Sequence, residues 1–235
     1  MSDEQTVKKK KENLLVSILF NVALPILILS KLSSHIGPMR ALLLALAFPF
    51  FYALYDFYER RQANPISILG FVSTLLKGLF AFYQVDGFWF AIQEAAIPCF
   101  LGIFTILSAW FHKPVINYFL YNEDIFNISL LEEKLKEKKT IHNFKILIWQ
   151  ITMIFGFAFF LGGILNYFLA IHIIVSPAGT PEFNTQLAKM TGLAYLVVAL
   201  PKMTISIFGL WWFIHQLKKF TGLKVNDILK DPTTK

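Results

Sequence analysis

Cysteine is almost missing from this chain, Cys99 being the single one in 235 residues. That excludes an intrachain disulfide and any metal site built from several thiolates. Charge is scarce as well: 16% of residues are charged against 56% hydrophobic, and a mean hydropathy of +0.56 lies outside the usual balance of a water-soluble domain. No GxSxG elbow, HExxH pair, P-loop or GxGxxG turn occurs, so hydrolase, metallopeptidase and nucleotide chemistry lack their ordinary marks. His112, His142 and His215 end apolar segments, His172 lies near the end of another and His35 sits in a turn. Such spacing fits interfacial side chains rather than a metal site. No enzyme activity, cofactor or metal is expected. The first apolar segment continues into Ser30, Lys31 and Leu32 with no Ala-x-Ala cleavage pattern, so it reads as a retained helix rather than a secretory signal.

What is present is apolar length. The pattern predicts an all-α, polytopic membrane protein with six transmembrane helices and a short cytoplasmic helix between spans 4 and 5. Residues 1–13 form a basic tail. Residues 14–111 carry spans 1 to 4, 112–142 a charged loop, 143–215 spans 5 and 6, and 216–235 a second basic tail. Span 1 covers about 14–32 and span 2 about 40–58, with 33–39 as the turn between them. Spans 3 and 4 form a hairpin over 66–111 around the turn at 84–87. Span 5 covers 143–175, the turn-forming stretch 176–189 follows, and span 6 covers 190–215, broken at Pro201-Lys202. In the loop, Ser129 followed by Glu132 is a capping-box pattern opening a helix through Lys139, with Glu132 and Lys136 as an i,i+4 pair.

Basic residues set the orientation. Lys8, Lys9, Lys10, Lys11, Arg60, Arg61, Lys113, Lys134, Lys136, Lys138, Lys139, Lys145 and the five lysines of the C-terminal tail fall on one side of a six-span chain. Lys31, Arg40 and Lys189 fall on the other, and Lys77 and Lys202 within spans, which accounts for all 22 Lys and Arg. Cytoplasmic loops carry the basic excess, so both termini are expected in the cytoplasm. The net charge of +7 then addresses a lipid bilayer with anionic headgroups, and no nucleic acid. Trp89, Trp110, Trp149, Trp211 and Trp212 lie near span ends, as an aromatic belt requires. Asn127-Ile128-Ser129 matches a glycosylation acceptor but faces the cytoplasm in this topology.

The polar residues inside the spans are the candidate site. Lys77 on span 3 and Glu94 on span 4 stand equally far from the hairpin turn, at about 13 Å of helical rise, near the middle of a hydrocarbon layer about 30 Å thick. Gln93 adjoins Glu94, and Lys202 adds a second cation at span 6. Two readings stand: an ion pair that pins the hairpin, and a solute-binding or proton-handling pair. Lys202 reads as a neutral lysine, a snorkelling one, or part of an anion site. Asp56 reads as an interfacial partner of Arg60. The small residues Gly70, Ser73, Thr74 and Ala81 share the face of Lys77, and Ala91, Ala95, Pro98, Cys99 and Gly102 that of Glu94, so these faces are expected to pack span 3 against span 4. Pro25, Pro49, Pro98 and Pro201 lie inside spans as candidate helix breaks, which occur in transporters and in membrane helices generally. Ala23-Leu24-Pro25 and Ala96-Ile97-Pro98 sit in spans that would correspond under an inverted three-plus-three repeat, but three residues are too few to claim one.

At Asn21-Val22-Ala23-Leu24-Pro25, Asn64-Pro65-Ile66-Ser67, the run from Trp89 to Pro98 and Lys113-Pro114, the chain resembles a family of uncharacterised bacterial inner-membrane proteins. Over spans 1 to 4 it is distantly similar to the intracellular septation protein A family. The uncharacterised family also resembles it at Ser176-Pro177, Gly179-Thr180 and Phe183-Asn184. The resemblance implies a protein of the bacterial inner membrane with an envelope- or septation-associated, membrane-organising role, acting through envelope or division membrane proteins. The alternative is a small-solute or anion transporter using Lys77, Glu94 and Lys202.

Overall fold

A proline cannot donate a backbone hydrogen bond, and its ring crowds the carbonyl four residues before it. The first apolar run shows how the chain accommodates this. In the computed structural model, which describes residues 14–60, 72, 75–76, 78–80, 82–83, 85–111, 113–117 and 126–229, the run is one helical rod. It comprises α1 (Leu14–Ile18), a π turn π1 (Leu19–Ala23), α2 (Leu24–Leu27), a second π turn π2 (Ile28–Leu32) and α3 (Ser33–Ile36). The Leu24 amide donates to the Leu19 carbonyl, five residues back, so the helix widens just before Pro25. The Asn21 side-chain amide donates to the Ser17 carbonyl at 2.9 Å, beside the widened turn. Gly37, at φ 89°, ends the rod in a conformation that side chains disfavour, and α4 (Pro38–Arg60) begins at once. The expected turn at 33–39 therefore narrows to Gly37.

Among the described residues, five further main helices follow. They are α5 (Gly87–Trp110), α6 (Ile128–Glu137), α7 (Ile141–Ile173), α8 (Pro181–Ala194) and α9 (Leu200–Thr221), with π3 (Tyr195–Ala199) joining α8 to α9 and a short α10 (Val225–Ile228) at the end. Among the described residues there is no strand, only an isolated bridge between Phe126 and Leu229. Among the described residues, five stretches are long and apolar enough to cross a membrane: Val16–Ile36, Pro38–Tyr55, Gly87–Trp110, Ile141–Ile173 and Pro181–Thr221, none more than 33% buried within the protein. Apolar side chains turned outward along most of a helix belong in lipid. Trp89 and Trp110, at the two ends of α5, are both exposed, where headgroups would meet them. Most of the expected span 3, with Lys77, lies outside the described residues, as do residues 1–13 and the loop around Arg61.

Several boundaries move. The stretch 176–189 is a turn only as far as Thr180. Thr180 Oγ1 accepts from the Phe183 amide at 3.2 Å and Pro181 takes the first helical position, a start signal that a count of turn formers overlooks. The last span thus begins at Pro181 and continues to Thr221, and Pro201 does not break it. Pro49 and Pro98 also sit inside continuous helices. A proline within a membrane helix removes one bond and bends the chain, while flanking turns and neighbouring helices keep it helical. The loop helix is capped by Asn127, whose Oδ1 accepts from the Leu130 amide, so it starts before the expected Ser129.

Contacts divide the chain into two units, Met1–Ile97 with Asn166–Val197, and Pro98–Leu165 with Val198–Lys235. In the first, Ile28, Leu42, Phe90, Ala91, Ile174, Phe183 and Met190 form the core, and Phe90 meets Phe183 edge to face at 5.8 Å. The fully buried Asn184 donates to Ser33 Oγ at 2.9 Å and to the Pro38 carbonyl at 2.7 Å, tying α8 to both sides of the Gly37 turn. Asn184→Leu is expected to cost about 1–3 kcal/mol, because the Pro38 carbonyl loses its donor in a partly buried setting. Thermal unfolding in detergent would measure it, and an unchanged midpoint would remove this tie from the account. Gln186 Oε1 accepts from the Val175 and Ser176 amides, at 3.0 Å each, and so closes the turn before α8. In the second unit, Phe144, Leu147, Ile148, Ile151, Phe213 and Leu217 make the core.

Candidate functional site

Glu94 and Gln93 stand two turns into α5, in the first unit, 8% and 5% exposed. Gln93 follows Phe90 by one helical turn, on the side turned toward the Phe183 contact. Neither the oxygen nor the nitrogen of its amide has a hydrogen-bond partner among the described residues, an arrangement costing about 1–3 kcal/mol for each unmet group. Glu94 is as well shielded, and the pairing expected with Lys77 lies outside the described residues. What the structure shows is a polar step, Gln93-Glu94, held inside an apolar helix.

Lys202 belongs to the second unit. It is half-buried, its Nζ stands 5.7 Å from the centre of the Phe159 ring, and its stem passes Gly162. A cation over an aromatic face is stabilised by about 0.5–2 kcal/mol. An aromatic partner for Lys202 was not among the sequence expectations. The signal available was the Phe159-Phe160 pair in span 5, but no spacing rule connects it to span 6.

The small-residue face of α5 also turns out to serve two purposes. Ala91 is fully buried in the first core. Gly102, expected to face span 3, instead meets α7: a Cβ there would lie 2.6 Å from the Phe160 amide nitrogen, and one at Gly156 would lie 2.6 Å from the Ile106 side chain. Two glycines on facing helices bring the backbones of α5 and α7 together, as small residues do in membranes. A lone helical face read from sequence cannot say which neighbour it meets.

The proline sites differ in the helix that precedes them. Pro98 has no π turn before it, whereas Val22-Ala23-Leu24-Pro25 and Val198-Ala199-Leu200-Pro201 are the same tetrapeptide, and each follows a five-residue π turn ending on its alanine. Insertion of one residue into the helix ahead of the proline relieves the clash with the preceding carbonyl in both places.

A third feature is the cap of the second unit. The Leu131 and Leu135 side chains of α6 are buried with Phe126, Phe144, Phe213, Leu217 and the Ile228 side chain of α10. The Asn127 amide donates to the Ile228 carbonyl at 3.0 Å, Thr140 Oγ1 to the Phe220 carbonyl at 3.2 Å, and Phe126 meets Phe213 edge to face. The segment expected to begin a basic tail at 216 is thus the end of α9 followed by a docked turn. On the outward face Glu132, Glu133, Lys136, Glu137 and Lys138 are exposed. Lys136 pairs with Glu132 at 3.7 Å, the expected i,i+4 contact. Lys134 hydrogen-bonds Glu137, which lowers the Glu137 carboxyl below its ordinary range and raises the Lys134 ammonium above its own.

Histidines remain solitary among the described residues: His35 and His172 bond the carbonyls of Lys31 and Phe168, and His215 stacks on Trp211. No group of three His, Cys, Asp or Glu gathers among them. No protein-family model, curated protein or solved structure matches the chain.

Proposed function

We propose that the chain is a six-span protein of the bacterial inner membrane, with both termini cytoplasmic and 66–83 supplying the sixth span, and that it organises envelope or division membrane proteins without catalysing a reaction. The cap supports this reading. A connection between spans 4 and 5 needs only to cover distance, yet here it folds back on the ends of α7 and α9 through Leu131, Leu135 and Ile228 and displays alternating acidic and basic side chains outward. On the positive-inside orientation that surface faces the cytoplasm, where an ordered, charged platform suits selection of a protein partner.

A carrier of small solutes or anions is the second reading, favoured by the buried, unsatisfied Gln93 amide beside Glu94 and by the π turns ahead of Pro25 and Pro201, since opened helices and intramembrane polar groups mark transport paths. Proteoliposomes containing the pure full chain separate the two. The organising role predicts no movement of chloride, phosphate or small carboxylates above protein-free vesicles. Movement that disappears in Glu94→Gln would overturn it in favour of the carrier.

A further inference from the structure

Five lysines gather in the second unit, where the ends of α6 and α9 meet. Lys138 is the C-cap of α6 and Lys139 follows it. Lys218 and Lys219 occupy the last turn of α9, and Lys224 is the N-cap of α10. All five are exposed. Two contacts bring the segments together: Thr140, next to Lys139, donates through Oγ1 to the Phe220 carbonyl at 3.2 Å, and the Lys138 ammonium stands where a Cβ on Gly222 would have to go.

This is more positive charge than the fold uses. The C-terminus of α9 offers about half a negative charge, which Lys138 alone answers. Of the acidic residues beside the cluster in sequence, Glu137 bonds Lys134, and Asp227 accepts from the Lys224 amide at 3.1 Å. Among the described residues, ion pairs on this helix go to Lys134 and Lys136 and to none of the five. About three positive charges stay uncompensated even when Asp227 and the helix end are counted. Lys139 is the sharper sign. At φ 57° it is the one non-glycine with positive φ among the described residues. Helices that end in this conformation ordinarily use glycine there, because a side chain is crowded. Backbone geometry thus argues against a lysine at 139, and its charge is the reason to keep one.

The cluster stands at headgroup depth. Trp149 on α7 and Trp211 on α9 are exposed, and indoles collect where acyl chains meet headgroups. Lys218 follows Trp211 by about 10 Å of helical rise. That reaches the outer edge of a headgroup layer about 5–8 Å thick, within the span of a lysine stem.

We infer that these lysines bind the headgroup of a membrane lipid carrying two phosphates, which matches the surplus better than one phosphodiester. Which leaflet supplies the lipid follows from the proposed orientation; the binding does not depend on it. The full chain in mild detergent is titrated with cardiolipin, phosphatidylglycerol, phosphatidylcholine and free pyrophosphate, and bound molecules are counted by native mass spectrometry. One cardiolipin per chain is expected, held roughly tenfold more tightly than phosphatidylglycerol and far more tightly than phosphatidylcholine. Lys139→Gly suits the backbone, so its thermal midpoint without lipid should equal or exceed that of the wild type, while cardiolipin affinity falls about fivefold, the effect of one charge at a membrane surface. Lys138→Gln with Lys218→Gln and Lys219→Gln should lower affinity about a hundredfold. Lys136→Gln, which removes a lysine already paired with Glu132, should leave it unchanged. Equal affinity for cardiolipin and phosphatidylglycerol would overturn the two-phosphate assignment, and equal losses in Lys136→Gln and Lys139→Gly would overturn the site in favour of general charge attraction. Pyrophosphate bound as tightly as cardiolipin would overturn the lipid and assign the lysines to a soluble phosphate ligand.

Discussion

Gly102→Val is expected to cost the protein more than about 3 kcal/mol, at the top of the range for overpacking. The reason is specific to the position. An added Cβ would approach the amide nitrogen, Cα and Cβ of Phe160 at 2.6, 2.8 and 2.8 Å; two of these atoms are backbone, so no rotamer change can clear the space. Either α5 separates from α7 or one of them bends, and the contacts made by Gly156 with Ile106 are lost with it. Gly192→Ala is the control, since the nearest atom to its added carbon is Ile26 Cδ1 at 3.9 Å and alanine favours a helix. Thermal unfolding of both variants in detergent tests this. A Gly102→Val protein as stable as the control would mean that the α5–α7 approach is not as close as described.

Leu135→Asp is expected to release α6 from the second unit while leaving the spans inserted. Leu135 is 3% exposed among Phe144, Phe213, Leu217 and Ile228. Losing that side chain alone costs about 2–5 kcal/mol, and placing a carboxylate among those apolar groups adds its desolvation cost. Limited proteolysis of the membrane-embedded protein reports the result directly: cleavage within 126–140 should accelerate in the variant, with membrane content unchanged. Equal protection of the two proteins would show that α6 is held by other means. The exposed Lys134–Glu137 bond adds a small, pH-dependent contribution to this helix. Because the Glu137 carboxyl is lowered, its share is present above the unfolded carboxylate range and fades as pH falls through the folded value. The Lys134 share is present below the ordinary lysine range and is lost as pH rises through the raised value.

The membrane class was legible because it depends on local composition. Long apolar runs between basic segments have few alternatives, and the helices over Val16–Ile36, Gly87–Trp110 and Ile141–Ile173 follow from them directly. Proline was less legible. Pro25, Pro49, Pro98 and Pro201 look alike in sequence, but a widened turn ahead of the proline depends on how a whole helical turn is hydrogen-bonded, and only Pro25 and Pro201 have it. The tetrapeptide Val-Ala-Leu-Pro common to those two sites was visible in the sequence, and a search for internal identity would have found it. Partners across the fold were the least legible. Gly102 signals a close approach without naming Phe160, and Lys202 signals the need for a partner without naming Phe159. The cap was half legible: the Glu132 and Lys136 face was read correctly as surface, whereas Ile228, the residue it closes upon, follows a lysine-rich segment that resembles an ordinary tail.

The organising role is tested most directly by reversing the charge of the cap in the living cell. The variant carries Glu132→Lys, Glu133→Lys and Glu137→Lys, all on exposed positions, so the fold is spared, and added lysines on that loop reinforce the expected orientation. In a strain lacking the wild-type protein, the account predicts that this variant reaches wild-type levels in the membrane yet fails to restore normal envelope growth and septum placement. Full restoration by the charge-reversed cap, with loss of restoration in Glu94→Gln at equal protein levels, would contradict it.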